Sequence, residues 1–265
     1  MKTRISTILL TTAVLAAMSL CAAGCGKGDG TAVVDKNMVK LYAGAGMQDG
    51  VDALIKAFTA ESGVLIDVEY GGSGPMMTRA KIAKDGDLFM PGDVGWVDQL
   101  HEASGIVEDR KPVAFFVPVI IVAKDNPKKI FRLDDLFRKD LTIALGNEYC
   151  QVGKASARIL KRNSLDINKI APERLMRSKT VNELGLFVKT GRADAAIVWD
   201  AIAFNNAPRV DVVKIPRDNN LISRVVVGML STGSHKADAR RFVDFIASPT
   251  GQEILSRHGY RTSEP

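Results

Sequence analysis

The chain is poor in cysteine. Cys21 and Cys25 lie in the first 25 residues and only Cys150 lies in the rest, so no disulfide framework can hold the body together. Stability must come from a buried core. Aromatic residues make up 6% and there is no Lys/Arg run, which argues weakly against a dedicated nucleic-acid surface. His101, His235 and His258 show no metal-ligand spacing, and no nucleophile elbow, Walker loop or paired-carboxylate motif is present. The expectation is therefore not an enzyme, with no cofactor and no site for a free metal cation. No fixed short repeat occurs, and no low-complexity segment follows residue 31.

What is present begins with a targeting pattern. Lys2 and Arg4 precede an apolar run from Ile5 to Ala17, which is short for a membrane anchor and reads as a signal peptide over residues 1–24. Ala22-Ala23-Gly24-Cys25 resembles a lipobox, which makes Cys25 the expected lipid anchor after cleavage. Residues 25–37, with Gly26-Lys-Gly-Asp-Gly-Thr31, are then a flexible tether. The formal charge of +6 includes Lys2 and Arg4, and residues 1–24 hold no acids, so +4 stays with the mature body. That spread excess mildly favours anionic partners.

The stretch from Val39 to Gln48 is an apolar strand running into a turn poor in side chains. An amphipathic helix follows, with Val51, Leu54, Ile55 and Phe58 on one face. The first N–H groups of a helix lack intrahelical partners, and its dipole adds about half a positive charge there, so such a turn can hold an anion. The same unit recurs. Val64–Tyr70 leads into Gly71-Gly72-Ser73-Gly74-Pro75 and a helix beginning with Met76, Met77 and Ala80, for which Ser73 is of the N-cap type. A third runs from Asp87–Met90 through Pro91-Gly92-Asp93 to a short helix holding Trp96, Val97 and Leu100. Strands alternating with helices imply a largely parallel sheet with ligands beyond the strands' carboxyl ends.

Val113–Ala123 is an apolar run broken by Pro118, read as the chain crossing into a second lobe. There, Leu141–Leu145 is a strand, Gly146–Gly153 a turn, and a helix runs from about Lys154 to Lys161. Thr180 caps another helix through Leu184, Phe187 and Val188, and Ala195–Trp199 is a buried strand. Val212–Pro216 and Val225–Leu230 are strands crossing back, and His235–Ala247 and Pro249–His258 are the closing helices.

Leu41–Gly46, Tyr70–Gly74, Gly86-Asp-Leu-Phe89 with Trp96, Gly191–Trp199 and Ser248–Tyr260 together resemble the molybdate-binding proteins of bacterial ABC importers, over roughly Met38 to Tyr260. The resemblance implies an α/β, two-lobed type II periplasmic binding protein. Each lobe would be a mostly parallel sheet flanked by helices, with two hinge strands between lobes of residues 38–112 plus 217–265 and 113–216. The ligand would be a tetrahedral oxyanion, molybdate or tungstate above others, delivered to an ABC permease in the inner membrane. It implies a monomer, periplasmic or at the cell surface, touching the membrane only through its N-terminal lipid or signal. Carried over by position, Ala45 and Gly46 form the first turn, Gly72 and Ser73 the second, Val152 and Val181 supply backbone N–H groups, and Trp199 stands where the family has a tyrosine. Gly46 stands where the family has a serine, which leaves that turn a backbone donor only.

Taken without the resemblance, Ser73 is equally a helix cap, Trp199 a core aromatic, Cys150 a small semi-buried thiol, and Met76 and Met77 lobe packing. Asp200 and Glu148 would repel a dianion unless paired or turned away, or would bind a ligand's hydroxyl or amino group. A small organic anion such as a carboxylate or phosphorylated metabolite, and a surface antigen or adhesin with a vestigial cleft, stay open as alternatives.

Overall fold

The computed structural model describes residues 38–265, and the expected signal peptide, Cys25 and tether lie outside them. In chain order the elements are β1 (Met38–Gly44), α1 (Gln48–Ser62), β2 (Leu65–Gly71), α2 (Ser73–Ala83), β3 (Leu88–Met90) and α3 (Val94–Ser104). Then come β4 (Val107–Phe116), β5 (Pro118–Ala123), β6 (Ile143–Gly146), α4 (Gln151–Arg162), β7 (Leu175–Ser178) and α5 (Val181–Lys189). The chain closes with β8 (Ala195–Trp199), α6 (Asp200–Asn206), β9 (Val210–Lys214), β10 (Ser223–Leu230), α7 (Lys236–Ala247) and α8 (Pro249–Arg257).

Two five-stranded sheets result, ordered β2-β1-β3-β10-β4 and β7-β6-β8-β5-β9. β1 pairs in parallel with β2 and β3, and β6 with β7 and β8. β10 and β5 run antiparallel to both of their neighbours. The apolar run at 113–123 divides at Val117: Phe116 ends the first sheet and Pro118 begins the second. A proline at a strand's first residue forfeits no ladder bond within that strand, so the break falls where the sequence can tolerate it.

Side-chain alternation explains why helices cover both faces. On β1 and β3, Leu41 and Leu88 face one cluster with Met47, Val51, Leu54 and Phe242, while Tyr42 and Phe89 face another with Trp96 and Leu100. In the second sheet Ile120, Ile143 and Ile197 face one side, and Ile121, Ala144 and Val198 the other. α1 ends at Gly63, whose φ of 72° is the left-handed cap conformation that favours glycine.

Three local expectations are corrected. The N-cap of α2 is Gly72, and Ser73 is the first helical residue. α4 starts at Gln151, three residues before the expected Lys154, because Gly153 lies inside its first turn; a Cβ there would fall 1.9 Å from the Asn147 carbonyl oxygen. The strand β7 and the helix α6 had no counterpart in the sequence reading.

Candidate functional site

The seven residues singled out from sequence, Ala45, Gly46, Gly72, Ser73, Val152, Val181 and Trp199, all border one small cavity. About 20 Å³ of it is open to the centre of a water molecule. Three helices begin at its wall: Ser73 opens α2, Val152 is the second residue of α4, and Val181 opens α5. The short 3-10 turn Ala45–Met47, which leads into α1, closes another side. N–H groups in such first turns have no intrahelical acceptor, so their partial positive charges converge on this space. No Asp, Glu, Lys or Arg lines it.

Ser73 is 3% exposed, and its hydroxyl oxygen accepts the Gly92 N–H at 3.1 Å. That bond fixes the oxygen and leaves the hydroxyl proton free to be donated. Thr180 caps α5, its hydroxyl accepting the Glu183 N–H at 3.4 Å, as the sequence predicts. Cys150 is the N-cap of α4 and lines the cavity, 5% exposed, with burial pushing its thiol up to about 11. A thiol held protonated in this way is a poor nucleophile.

Trp199 is 2% exposed and stacks on Phe116 with ring centroids 4.7 Å apart and planes 3° from parallel. The edge of the indole meets Gly46: a Cβ at position 46 would lie 3.0 Å from Trp199 Cδ1, 3.1 Å from Nε1 and 3.1 Å from Val181 Cγ1. A side chain at position 46 and an indole at position 199 therefore compete for one volume. Tyr260, beneath this turn, donates its hydroxyl to the Gly46 carbonyl at 3.0 Å and packs against Phe116.

The acidic residues are kept away. Asp200 accepts N–H groups from Val117 at 3.2 Å and Ala201 at 3.1 Å and the Arg261 guanidinium at 2.6 Å. Burial still raises its carboxyl above the ordinary value, against the pull of those partners. Glu148 lies at a separate open groove of about 880 Å³ with Trp96, Tyr149 and Lys154.

Sequence reasoning missed four contributors. Phe116, Gly92 and Gln151 reach the cavity from segments read only as strand, turn and helix approach, and Tyr260 supports it from just beyond the last helix. Only Tyr260 left a trace, as the end of the Ser248–Tyr260 motif.

Residues 39–261 match the family model described as bacterial extracellular solute-binding protein. Among curated relatives, the chain is 26% identical to the molybdate-binding protein ModA of Mycobacterium tuberculosis over 223 residues, covering 84% of each. Among solved structures it is similar to the periplasmic molybdate-binding protein of Azotobacter vinelandii, with TM-score 0.75 and 18% identity over 85% of this chain and 100% of that one. It is equally similar in fold to the sulfate-binding protein SubI of M. tuberculosis, with TM-score 0.76 and 22% identity over 86% of this chain and 88% of that one.

Proposed function

Because the chain belongs to the bacterial extracellular solute-binding proteins, we propose that it captures a fully ionised tetrahedral oxyanion, molybdate or tungstate first, and hands it to an ABC permease. The observation that carries this reading is the cavity: three helix starts and a glycine turn converge on a small space with no charged side chain. Preorganised N–H and O–H donors hold a dianion without a counter-charge. The size supports an inorganic ion, since about 20 Å³ is more than tenfold below the roughly 300–1,000 Å³ of pockets for organic ligands.

The assigned donors are the Ser73 hydroxyl, the Trp199 indole N–H, and backbone N–H groups of the Ala45–Gly46 and Gly72–Ser73 turns and of Val152 and Val181. With no carboxylate on the wall, an anion that still carries a proton finds no strong acceptor for it, so phosphate at neutral pH binds more weakly than molybdate, tungstate or sulfate. Residues 38–116 with 217–265 form one lobe and 117–216 the other; the crossing falls four residues later than the sequence alone places it, because β4 stays paired with β10 through Phe116. Closure about the segments 113–119 and 214–226 is stabilised because the anion touches both lobes. The protein works outside the cytoplasm, tethered by a lipid on Cys25.

Isothermal titration with molybdate, tungstate, sulfate and phosphate tests the reading. Binding of the first two above phosphate is expected, and silence to all four ends it. Labelling with a radioactive fatty acid tests the anchor, which fails if Cys25→Ser leaves the label in place.

A further inference from the structure

Gln151 lines the cavity, yet both polar ends of its side chain are engaged elsewhere. It is 8% exposed and opens α4. Its Oε1 accepts the Trp96 indole N–H from α3 at 2.7 Å, and its Nε2 donates to Ser223 Oγ, at the start of β10, at 3.1 Å. Its stem packs on the Gly92 backbone, where an added Cβ would lie 3.1 Å from Gln151 Cβ. One turn further along α4, the Lys154 ammonium sits over the same Trp96 ring, 3.5 Å from its centroid. The Gly74 N–H, from α2, donates to the Tyr149 carbonyl at 3.0 Å just before α4. The start of α4 therefore grips the first sheet's helices at the same point where Val152 borders the cavity.

We propose that Gln151 is a positioning residue that clasps the two lobes shut: it holds Trp96 and the return strand β10 without touching the anion, and so sets how slowly the anion leaves. This rests on the oxyanion reading of the cavity. The coupling is mechanical. An anion on the first turn of α4 fixes the helix start that delivers Gln151 to Trp96, and the clasp in turn keeps that start against the cavity. Loss of the glutamine amide would leave the buried Trp96 N–H and the Ser223 hydroxyl without this partner, a cost that falls on the closed state alone. Encounter with the open protein should be unaffected, so the effect belongs in dissociation.

The test compares wild type, Gln151→Ala, Trp96→Phe, which keeps an aromatic ring beneath Lys154 and removes the N–H, and the double variant, with folding checked by circular dichroism. In stopped-flow binding of molybdate, each single change should speed dissociation about tenfold or more, with association unchanged within about threefold. The double variant should be little worse than Gln151→Ala alone, because Gln151→Ala already removes the bond that Trp96→Phe removes, along with the one to Ser223. Unchanged dissociation, or additive effects, overturns the clasp while leaving the oxyanion reading intact. If wild type binds none of the four oxyanions, that reading fails on its own. The clasp is then judged in ligand-free protein by acrylamide quenching of Trp96, taken as the difference between wild type and Trp96→Phe. Quenching should rise in Gln151→Ala, and equal quenching overturns the proposal.

Discussion

Replacing Gly46 by serine, the residue type that the resembling family carries there, should damage this protein. The added Cβ would sit 3.0–3.1 Å from the Trp199 indole and from Val181 Cγ1, tighter than ordinary van der Waals contact, and the hydroxyl needs further room. Whether the neighbours can yield decides the cost. Trp199 cannot move away easily: it is 2% exposed and stacked flat on Phe116, which is itself fully buried. Overpacking a site of this kind costs about 1–3 kcal/mol. Trp199→Tyr alone removes indole volume beside a glycine and should cost a similar amount through the void it leaves. Combined, the serine occupies the space that the indole vacated, so the double variant should be more stable than the sum of the singles predicts by about 1–2 kcal/mol. Urea denaturation of the four ligand-free proteins measures this coupling. Titration with molybdate should show Gly46→Ser as the weakest binder and the double variant tighter than Trp199→Tyr, since it regains a hydroxyl donor. Additivity within about 0.5 kcal/mol would refute the claim that the two positions share one volume.

Single contacts lead to further expected outcomes. Ser73→Ala leaves the Gly92 N–H without its buried acceptor; a loss of about 1–3 kcal/mol in urea denaturation and at least tenfold weaker molybdate binding are expected. Arg261→Ala should act in a pH-dependent way through Asp200, whose carboxyl already lies above its ordinary value because of burial. A raised carboxyl pKa means that the native state keeps its proton to higher pH than the unfolded chain, so the stability linked to it is lost as pH rises through that window. Removing the guanidinium raises it further, so the variant should be about 1–3 kcal/mol less stable than wild type at pH 7, with the gap narrowing as pH falls toward the ordinary carboxylate range. Cys150, with its thiol pushed up to about 11, should resist Ellman's reagent at pH 8 in the native protein and react fully once unfolded; fast native reaction would contradict its burial.

The parts of this molecule legible in its sequence are those whose causes are local. Val51, Leu54 and Phe58 mark the buried face of α1 by spacing alone, and the buried run Ala195–Trp199 reads as a strand because every residue in it is apolar. β7 escaped because it is a four-residue edge strand whose burial does not alternate, which leaves no period to detect. The start of α4 escaped because glycine marks turns in sequence, whereas Gly153 is excluded from bearing a side chain by the distant-looking but adjacent Asn147 carbonyl.

Taken one position at a time against the family pattern, Gly46 looks like a lost donor and Trp199 like a changed one. In the folded chain the two are a single arrangement: 153 residues apart, they meet at 3.0–3.1 Å from the position a Cβ would take, and the glycine is the condition for the indole. No pattern along the chain encodes that exchange, because each residue taken alone is unremarkable for its element, a turn glycine and a strand-end aromatic. The exchange also bears on function. If the indole N–H stands in for the hydroxyls that both positions lack, the cavity keeps its count of donors near that of the resembling family while its wall becomes more apolar and more rigid. Such a wall tolerates less adjustment between anions of different size, so the ratio of molybdate to sulfate affinity, more than the affinity for either alone, is where the departure from the family pattern should be felt.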